Sequence, residues 1–354
     1  MERKGEDLLG KIDNAIDKGV DYLYEHQFPN GEFCCYYAPD DEMLEWCVPD
    51  STVFPTSIIA CCLLGIKELP KVSKMLSLTT GFLQYQMMGG GVWNYFTKWN
   101  PLFKYMPADL DDTAIASYFL RALEIDFPEN SKIFYGSRNR KGLFYTWIVL
   151  RPTFNKDLNF WKITGRELKR PIHSSAFWLK YEVGRNDIDA VVNANTLFYL
   201  GLNEKTKPII NYLIGILTEN KEAHSDKWYK NPFSIYYFVS RNYPNVQQLE
   251  PVKEMIVDRI YKQIDANGMF GTCAFENALA ILTLINLRHT DFQLEIAVNQ
   301  LLNIQSETGC WKRHIFFYAG PSKTVGWGSE EIITAFCIEA LVSYKKALLI
   351  KPKA

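Results

Sequence analysis

Apolar residues recur at three- and four-residue spacing through most of this chain, and the segments that carry them are of two kinds. One kind is apolar all round and spans about residues 55–66, 109–124, 188–202, 232–241, 274–287 and 329–346. The other is apolar on one face only and spans about 7–25, 70–86, 206–219, 248–264 and 292–304, with a short or irregular member somewhere in 130–141. A helix that is apolar all round must be covered on every side, whereas a one-faced helix has a side for water. The alternation therefore predicts two concentric shells of helices, and no strand-rich segment.

The connections repeat as well. A glycine followed two residues later by an aromatic ends each outer segment, at Gly31 and Phe33, Gly91 and Trp93, Gly142 and Phe144, Gly268 and Phe270, and Gly309 and Trp311. A glutamine shortly precedes the glycine in four of the five (Gln27, Gln86, Gln263, Gln305). The fourth repeat has no recognisable turn. Internal repetition on this scale implies a stacked or closed helical array. Six pairs fit an all-α fold, an (α/α)6 barrel or toroid of six inner and six outer helices. With no Pro- or Gly-rich linker to divide it, residues 1–354 read as one domain.

Composition narrows the partners. Lysine and arginine (39) almost balance aspartate and glutamate (40), which removes the electrostatic case for nucleic acid. The eight cysteines contain no CxxC pair and suggest neither a disulfide framework nor a zinc ribbon, so reduced thiols and a cytoplasmic setting are expected. The longest apolar runs are too short to cross a bilayer, leaving a soluble protein or one peripheral to a membrane. The 22 Phe, 20 Tyr and 9 Trp are an excess that must fill the core or line something.

In such a barrel the N-terminal ends of the inner helices converge on one mouth. Asp109, Asp111 and Asp112 lie there at the start of the second inner helix, with Asp109 as its N-cap. Acidic residues are common in first helical turns, so the cluster alone says little. Around it the other inner ends bring Phe54; Asp187, Asp189, Asn193 and Asn195; Trp228, Tyr229 and Phe233; Phe275 and Glu276; and Trp327. Long connections near 34–54, 94–108, 145–186 and 312–327 feed the same mouth. Their aromatics (Trp46, Trp99, Trp161, Trp178, Phe316, Phe317) predict packed lids.

The stretch from Asp109 to Ala114, Asp-Leu-Asp-Asp-Thr-Ala, resembles the D-x-D-D-T-A motif of class II terpene cyclases. The turn from Gln305 to Trp311 resembles that family's glutamine-tryptophan repeat, and Gln27, Gln86 and Gln263 begin looser versions of it. Phe replaces Trp in three turns. The family usually builds its site between two barrels, and this chain is long enough for one, which makes it similar to the monodomain meroterpenoid cyclases. The resemblance implies proton-initiated cyclisation of a linear isoprenoid, with Asp111 as the acid and Asp109 and Asp112 activating it; Asp109 is the alternative donor.

The chemistry suits those residues. Protonating an alkene needs an acid that is neutral at rest and strong when it acts, in a dry site. Burial and like-charged neighbours hold a proton in a carboxyl cluster, while a helix N-terminus stabilises the carboxylate as it forms. Migrating positive charge can be stabilised by aromatic faces at about 0.5–2 kcal/mol each. Phe54, Trp93, Trp228, Tyr229, Phe233, Phe275 and Trp327 are the expected lining, with Asp189, Asn193 and Asn195. Asn193, Asn195, Glu276, His173 and His224 are the candidate groups for termination.

Two other toroid chemistries compete. A protein prenyltransferase β-like subunit needs Asp, Cys and His zinc ligands; Cys273 sits at a suitable helix end, but no Asp lies two residues before it. An inverting glycosidase needs two carboxylates about 6.5–9.5 Å apart, wider than three Asp in one turn, although Asp111 and Glu276 across the mouth would serve. A non-catalytic scaffold leaves the acidic cluster unexplained. For a cyclase the substrate is a hydrophobic isoprenoid, a prenylated hydroxybenzoate before a prenyl diphosphate. No cofactor is required for the former, and Mg2+ only for the latter. A diphosphate also calls for a basic mouth, for which Arg138, Arg140, Lys141, Arg151, Arg166, Lys169, Arg170 and Arg185 are the basic residues at hand. No nucleic acid and no obligate protein partner is implied.

Overall fold

The computed structural model describes residues 2–151, 157–169, 175, 178–179, 182–322 and 325–350. The chain begins with outer helix α1 (Glu2–His26) and inner helix α2 (Phe54–Leu63), then outer α3 (Pro70–Gln86) and inner α4 (Leu110–Ala122). The short outer α5 (Ser131–Gly136) and a loop helix α6 (Leu158–Thr164) precede inner α7 (Ala190–Leu200). Outer α8 (Lys207–Thr218), inner α9 (Pro232–Ser240), outer α10 (Lys253–Tyr261), inner α11 (Ala274–Asn286), outer α12 (Phe292–Asn303) and inner α13 (Glu330–Ile350) complete the array. Each inner helix packs on the next, and α13 packs back on α2, so the inner ring is closed. This is the (α/α)6 toroid that the alternation of helix types predicts. Among the described residues no helix is long and apolar enough to cross a membrane.

The two shells follow from side-chain burial. On α1 the buried positions include Leu8, Ile12, Ala15, Ile16, Val20 and Leu23, a single stripe at helical spacing. On α11 nearly every residue from Ala274 to Leu284 is buried, because the helix is walled by both ring neighbours and by α12. The irregular third outer element is α5, only six residues long.

The glycine turns fasten the shells together. The aromatic after each turn is buried, and its backbone N–H donates to a side chain near the start of an inner helix: Phe33 to Thr56 Oγ1 (3.0 Å), Trp93 to Thr113 Oγ1 (3.2 Å), Phe144 to Asn193 Oδ1 (2.9 Å), Phe270 to Asn277 Oδ1 (3.1 Å) and Trp311 to Thr334 Oγ1 (3.1 Å). Where the aromatic is Trp, its indole also donates to the outer helix before it, Trp93 to the Leu83 carbonyl and Trp311 to the Leu301 carbonyl, both at 2.8 Å. The glutamines bridge sideways: Gln27 Nε2 donates to the Met75 carbonyl of α3 and Gln305 Nε2 to the Ala15 carbonyl of α1. Gln305 therefore ties the last outer helix to the first, at the seam where the toroid closes.

Gly309 makes that seam possible. Its φ is +91°, and a Cβ there would lie 2.4 Å from the Lys18 carbonyl oxygen. Backbone strain and overlap together predict that Gly309→Ala destabilises the fold by about 2–3 kcal/mol. Thermal unfolding checks this, with Gly10→Ala as control. Gly10 is exposed on α1, and a methyl added there would meet nothing within 4 Å, so alanine leaves the melting temperature unchanged or raises it.

The mouth departs from the expectation of no strands. Strands β1 (Tyr36–Ala38), β2 (Val48–Pro49), β5 (Ile315–Tyr318) and β6 (Gly326–Gly328) form an antiparallel sheet in the order β2-β1-β6-β5, and β3 (Ala108–Asp109) pairs with β4 (Trp147–Ile148). They are two to four residues long, too short to show a period of two, and the β1–β6 and β3–β4 pairings arise where one long connection meets another. The lids also differ from expectation. Phe316 and Phe317 are buried, but Trp46, Trp99 and Trp161 are each about 40–50% exposed.

Candidate active site

The site begins at the β3–α4 junction. Asp109 caps α4, its Oδ1 accepting the Asp112 N–H at 2.8 Å, and its carbonyl accepts the Thr113 hydroxyl at 2.6 Å. Pairing of Asp109 with Trp147 across the β3–β4 ladder, together with Leu110 N–H donating to the Thr146 carbonyl, lays the 146–148 segment alongside the acidic turn. The three carboxylates then separate in role. Asp109 and Asp112 are buried against each other, whereas Asp111 is partly accessible, and all three border one cavity.

That cavity is narrow and holds about 590 Å3 of space outside protein atoms, counting what opens to solvent at its mouth. Its polar lining is Asp109, Asp111, Asp112 and Thr146, and the rest is Phe54, Tyr95, Phe96, Met106, Trp147, Val192, Trp228, Tyr229, Phe317 and Trp327. The rings brace one another: Phe317 stacks on Trp327 (5.7 Å), Tyr95 meets both edge-on, and Trp147 meets Trp228 edge-on at 5.7 Å.

Each oxygen of Asp111 accepts a hydrogen bond. Asn195 Nδ2 donates to Oδ1 at 2.6 Å, and the Tyr229 hydroxyl donates to Oδ2 at 3.0 Å. Burial raises the Asp111 pKa to about 7, with the Asp109 charge adding and the Asn195 and Tyr229 bonds opposing. Burial and the adjacent Asp109 carboxyl hold Asp112 well above the ordinary carboxylate range, and burial also raises Asp109. The cluster thus keeps protons at neutral pH, and its partly accessible member, Asp111, has donors ready for the carboxylate left when a proton departs.

A second carboxyl pair stands behind this wall. Asp226 accepts the backbone N–H groups of Val191, Trp228 and Tyr229, and so fixes the segment that carries Trp228 and Tyr229. Asp189 accepts the Thr146 hydroxyl and the Lys227 N–H. Burial and mutual repulsion raise Asp189 to about 8, and burial raises Asp226 to about 6.

The sequence-predicted residues divide accordingly. Phe54, Trp228, Tyr229 and Trp327 line the cavity with the three aspartates. Asn195 is brought to Asp111 itself. Trp93, Asn193, Asp189, Phe233 and Phe275 are outside the lining. Trp93 is the turn tryptophan of its repeat, fully buried with its indole on α3, as its place two residues after Gly91 matches Trp311 after Gly309. Asn193 is the partner of Phe144, accepting its N–H and donating to its carbonyl. Phe275 packs among His314, Phe316 and Phe336, and Phe233 beside Tyr236. Glu276 bonds Thr272 and Asn231, His224 is exposed, and His173, Lys169 and Arg170 lie outside the residues whose side chains are described. Arg138, Arg151, Arg166 and Arg185 donate to nearby backbone or side-chain atoms, and no Lys or Arg lines the cavity among the described residues.

Sequence reasoning missed Tyr95, Phe96, Met106, Thr146, Trp147 and Val192. The first five come from mouth connections, and a signal existed for two of them. Tyr145 to Val149 is a β-branched and aromatic run just after the Phe144 turn, which marks a strand beside the barrel end.

No protein-family model and no curated protein matches the chain. Solved structures do. A variant of the type II terpene cyclase MstE from Scytonema, in complex with geranylgeranyl dihydroxybenzoate as substrate, superposes with a TM-score of 0.71 at 15% identity, over 97% of this chain and 99% of that one. Another variant of the same cyclase, in complex with the product merosterolic acid A, gives 0.70 at 15% over 97% and 99%. A protein from Actinoplanes gives 0.66 at 17% over 94% and 99%. At such identities the likeness is one of fold, and it extends over nearly the full length of each chain.

Proposed function

We propose that this chain is a class II terpene cyclase working as a single barrel, an isomerase that forms carbon–carbon bonds within one linear isoprenoid. The observation that carries the reading is Asp111: a carboxyl raised by burial to about 7, bonded by Asn195 and Tyr229, at the wall of a largely aromatic cavity. Asp111 gives its proton to a terminal alkene. A carbon–hydrogen bond forms, the π bond breaks, and the tertiary cation is attacked by the next alkene. The Asp111 carboxylate left behind is held by its two donors, which stabilise charge that develops only as the proton leaves. Phe54, Phe317, Trp327, Trp147 and Trp228 present ring faces and edges that stabilise the moving cation without capturing it. Loss of a proton from the last cation restores neutrality and leaves the product isomeric with the substrate.

For the substrate we favour a prenylated hydroxybenzoate over a prenyl diphosphate. The absence of Lys and Arg from the described cavity lining supports this. The MstE structures support it by analogy, being complexes with geranylgeranyl dihydroxybenzoate and merosterolic acid A. The test is incubation of the folded protein with geranylgeranyl dihydroxybenzoate and, separately, with geranylgeranyl diphosphate, each with and without Mg2+. The expected result is a product of unchanged mass and new retention from the benzoate alone, independent of Mg2+. Turnover of the diphosphate alone overturns the substrate assignment, and turnover of neither overturns the cyclase reading.

A further inference from the structure

We propose that Arg241 is a positioning residue for the acid: its guanidinium, set in the wall of a second cavity in the barrel, locks the Asn195 amide in the orientation that donates to Asp111. The inference rests on the cyclase reading for its kinetic consequence, but its geometry stands apart from it.

The second cavity is bordered by Cys61 and Cys62 of α2, Tyr118 of α4, Phe198 of α7, Tyr237 of α9, Arg241, and Glu339, Val342, Ser343 and Lys346 on α13. Apart from those on the long α13, these positions are at or near the C-terminal ends of the inner helices, opposite the carboxylate mouth. Arg241 is the C-cap of α9, where the helix dipole favours a cation. It is 9% exposed, lies over the rings of Phe198 (4.3 Å), Phe238 (4.9 Å) and Tyr237 (5.2 Å), and its Nε has no hydrogen-bond partner among the described residues. No carboxylate is within ion-pair distance of it among those residues. The acid it interacts with, Glu339 in the wall of the same cavity, is beyond that distance and is itself raised by burial, so the buried charge is only partly compensated, which is costly and needs a reason.

The reason is one amide away. Arg241 Nη2 donates to Asn195 Oδ1, and Asn195 Nδ2 donates to Asp111 Oδ1. A guanidinium can only donate, so it forces the amide oxygen towards itself and the NH2 towards Asp111. Without it the amide is free to flip and offer its oxygen to the acid, a contact that favours the protonated form. The same charge, relayed at this distance, becomes complementary to Asp111 when the proton leaves. The groups facing Asp111 are Asp109 and Asp112 on its own helix, Asn195, Tyr229, Asp226 and Arg241; those facing Arg241 are Asn195, Tyr237, Cys61 and Glu339. Among the groups facing Asp111, Arg241 is the cation.

Two measurements on the full-length protein test this. Carboxyl-13C aspartate labelling, with the Asp111 resonance assigned by its loss in Asp111→Asn, follows that titration directly. Arg241→Met moves it upward by on the order of one pH unit, the shift that one charge-assisted hydrogen bond represents. In turnover of geranylgeranyl dihydroxybenzoate the same variant lowers kcat about 10- to 100-fold with KM little changed, and moves the alkaline limb of the pH profile to higher pH. Arg241→Lys keeps the charge but loses the planar fork, so it falls between wild type and methionine; it carries the test if the methionine variant is unfolded. An Asp111 titration that is unmoved in a folded variant overturns the proposal. A moved titration in a protein that cyclises nothing upholds the positioning and overturns the cyclase reading instead.

Discussion

Asp111→Asn abolishes cyclisation, lowering kcat by roughly a thousandfold or more, the upper part of what a positioned proton donor contributes, while the helices and the binding of substrate are retained. The expectation follows from what the substitution leaves. An amide at position 111 fills the same volume at the cavity wall but has no proton acidic enough for an alkene. Asp109→Asn is the informative partner. Asparagine is as good an N-cap as aspartate, so α4 keeps its start and the bond from the Asp112 N–H. What is lost is the repulsion that helps hold a proton in the cluster, so the rate falls without vanishing. Turnover of both variants, with unfolding followed in parallel, separates the roles: an Asp111→Asn protein that keeps a tenth or more of the rate while Asp109→Asn is inert makes Asp109 the donor.

That assignment shows where sequence reasoning reaches and where it stops. The two kinds of helix are legible because burial imposes its period directly on the residues, and the closed ring follows from their alternation. The acidic turn is legible because Asp109, Asp111 and Asp112 are neighbours in the chain. Its partners are not. Helix phase puts Asn195 and Tyr229 at the right mouth, yet nothing in their local sequence says that they bond Asp111, whereas Asn193, two residues from Asn195, holds the Phe144 turn instead. Two asparagines on one inner helix have unrelated duties because a helix turns about 100° per residue and puts them on different sides. Trp93 shows the converse: its role is written in the repeat, in phase with Trp311, and the pull of aromatic chemistry obscures it. Thr146 and Trp147 are a third case: the run from Tyr145 to Val149 marks a strand, but its two-residue pairing with β3 is decided by where two loops meet, and no local pattern names that partner.

The acid should also be visible as a weakness in the fold. A group whose folded pKa is raised above its unfolded value leaves the folded state holding more protons between the two values, so stability falls as pH rises through that window. Asp111 goes from 3.8 to about 7 on burial. Its neutral form is thus accommodated fully below pH 4, and the cost of ionising it in place is complete only above pH 7. Three units correspond to about 4 kcal/mol, and because the carboxyl edges a cavity open to solvent, about 2–4 kcal/mol is the expected range. Depressed carboxylates elsewhere, such as Asp291, slope the other way, so the whole protein's profile mixes both signs. Comparison with Asp111→Asn removes the mixture. The amide brings a fixed penalty, since Asn195 and Tyr229 both donate and one of them must turn away, but that penalty does not depend on pH. The stability of the variant minus that of the wild type, from denaturant unfolding at a series of pH values, should therefore climb between pH 4 and 7 and level off above it. A difference that is flat across this range would mean that Asp111 is ionised in the folded protein at pH 5, and an acid already spent at rest cannot start a cyclisation.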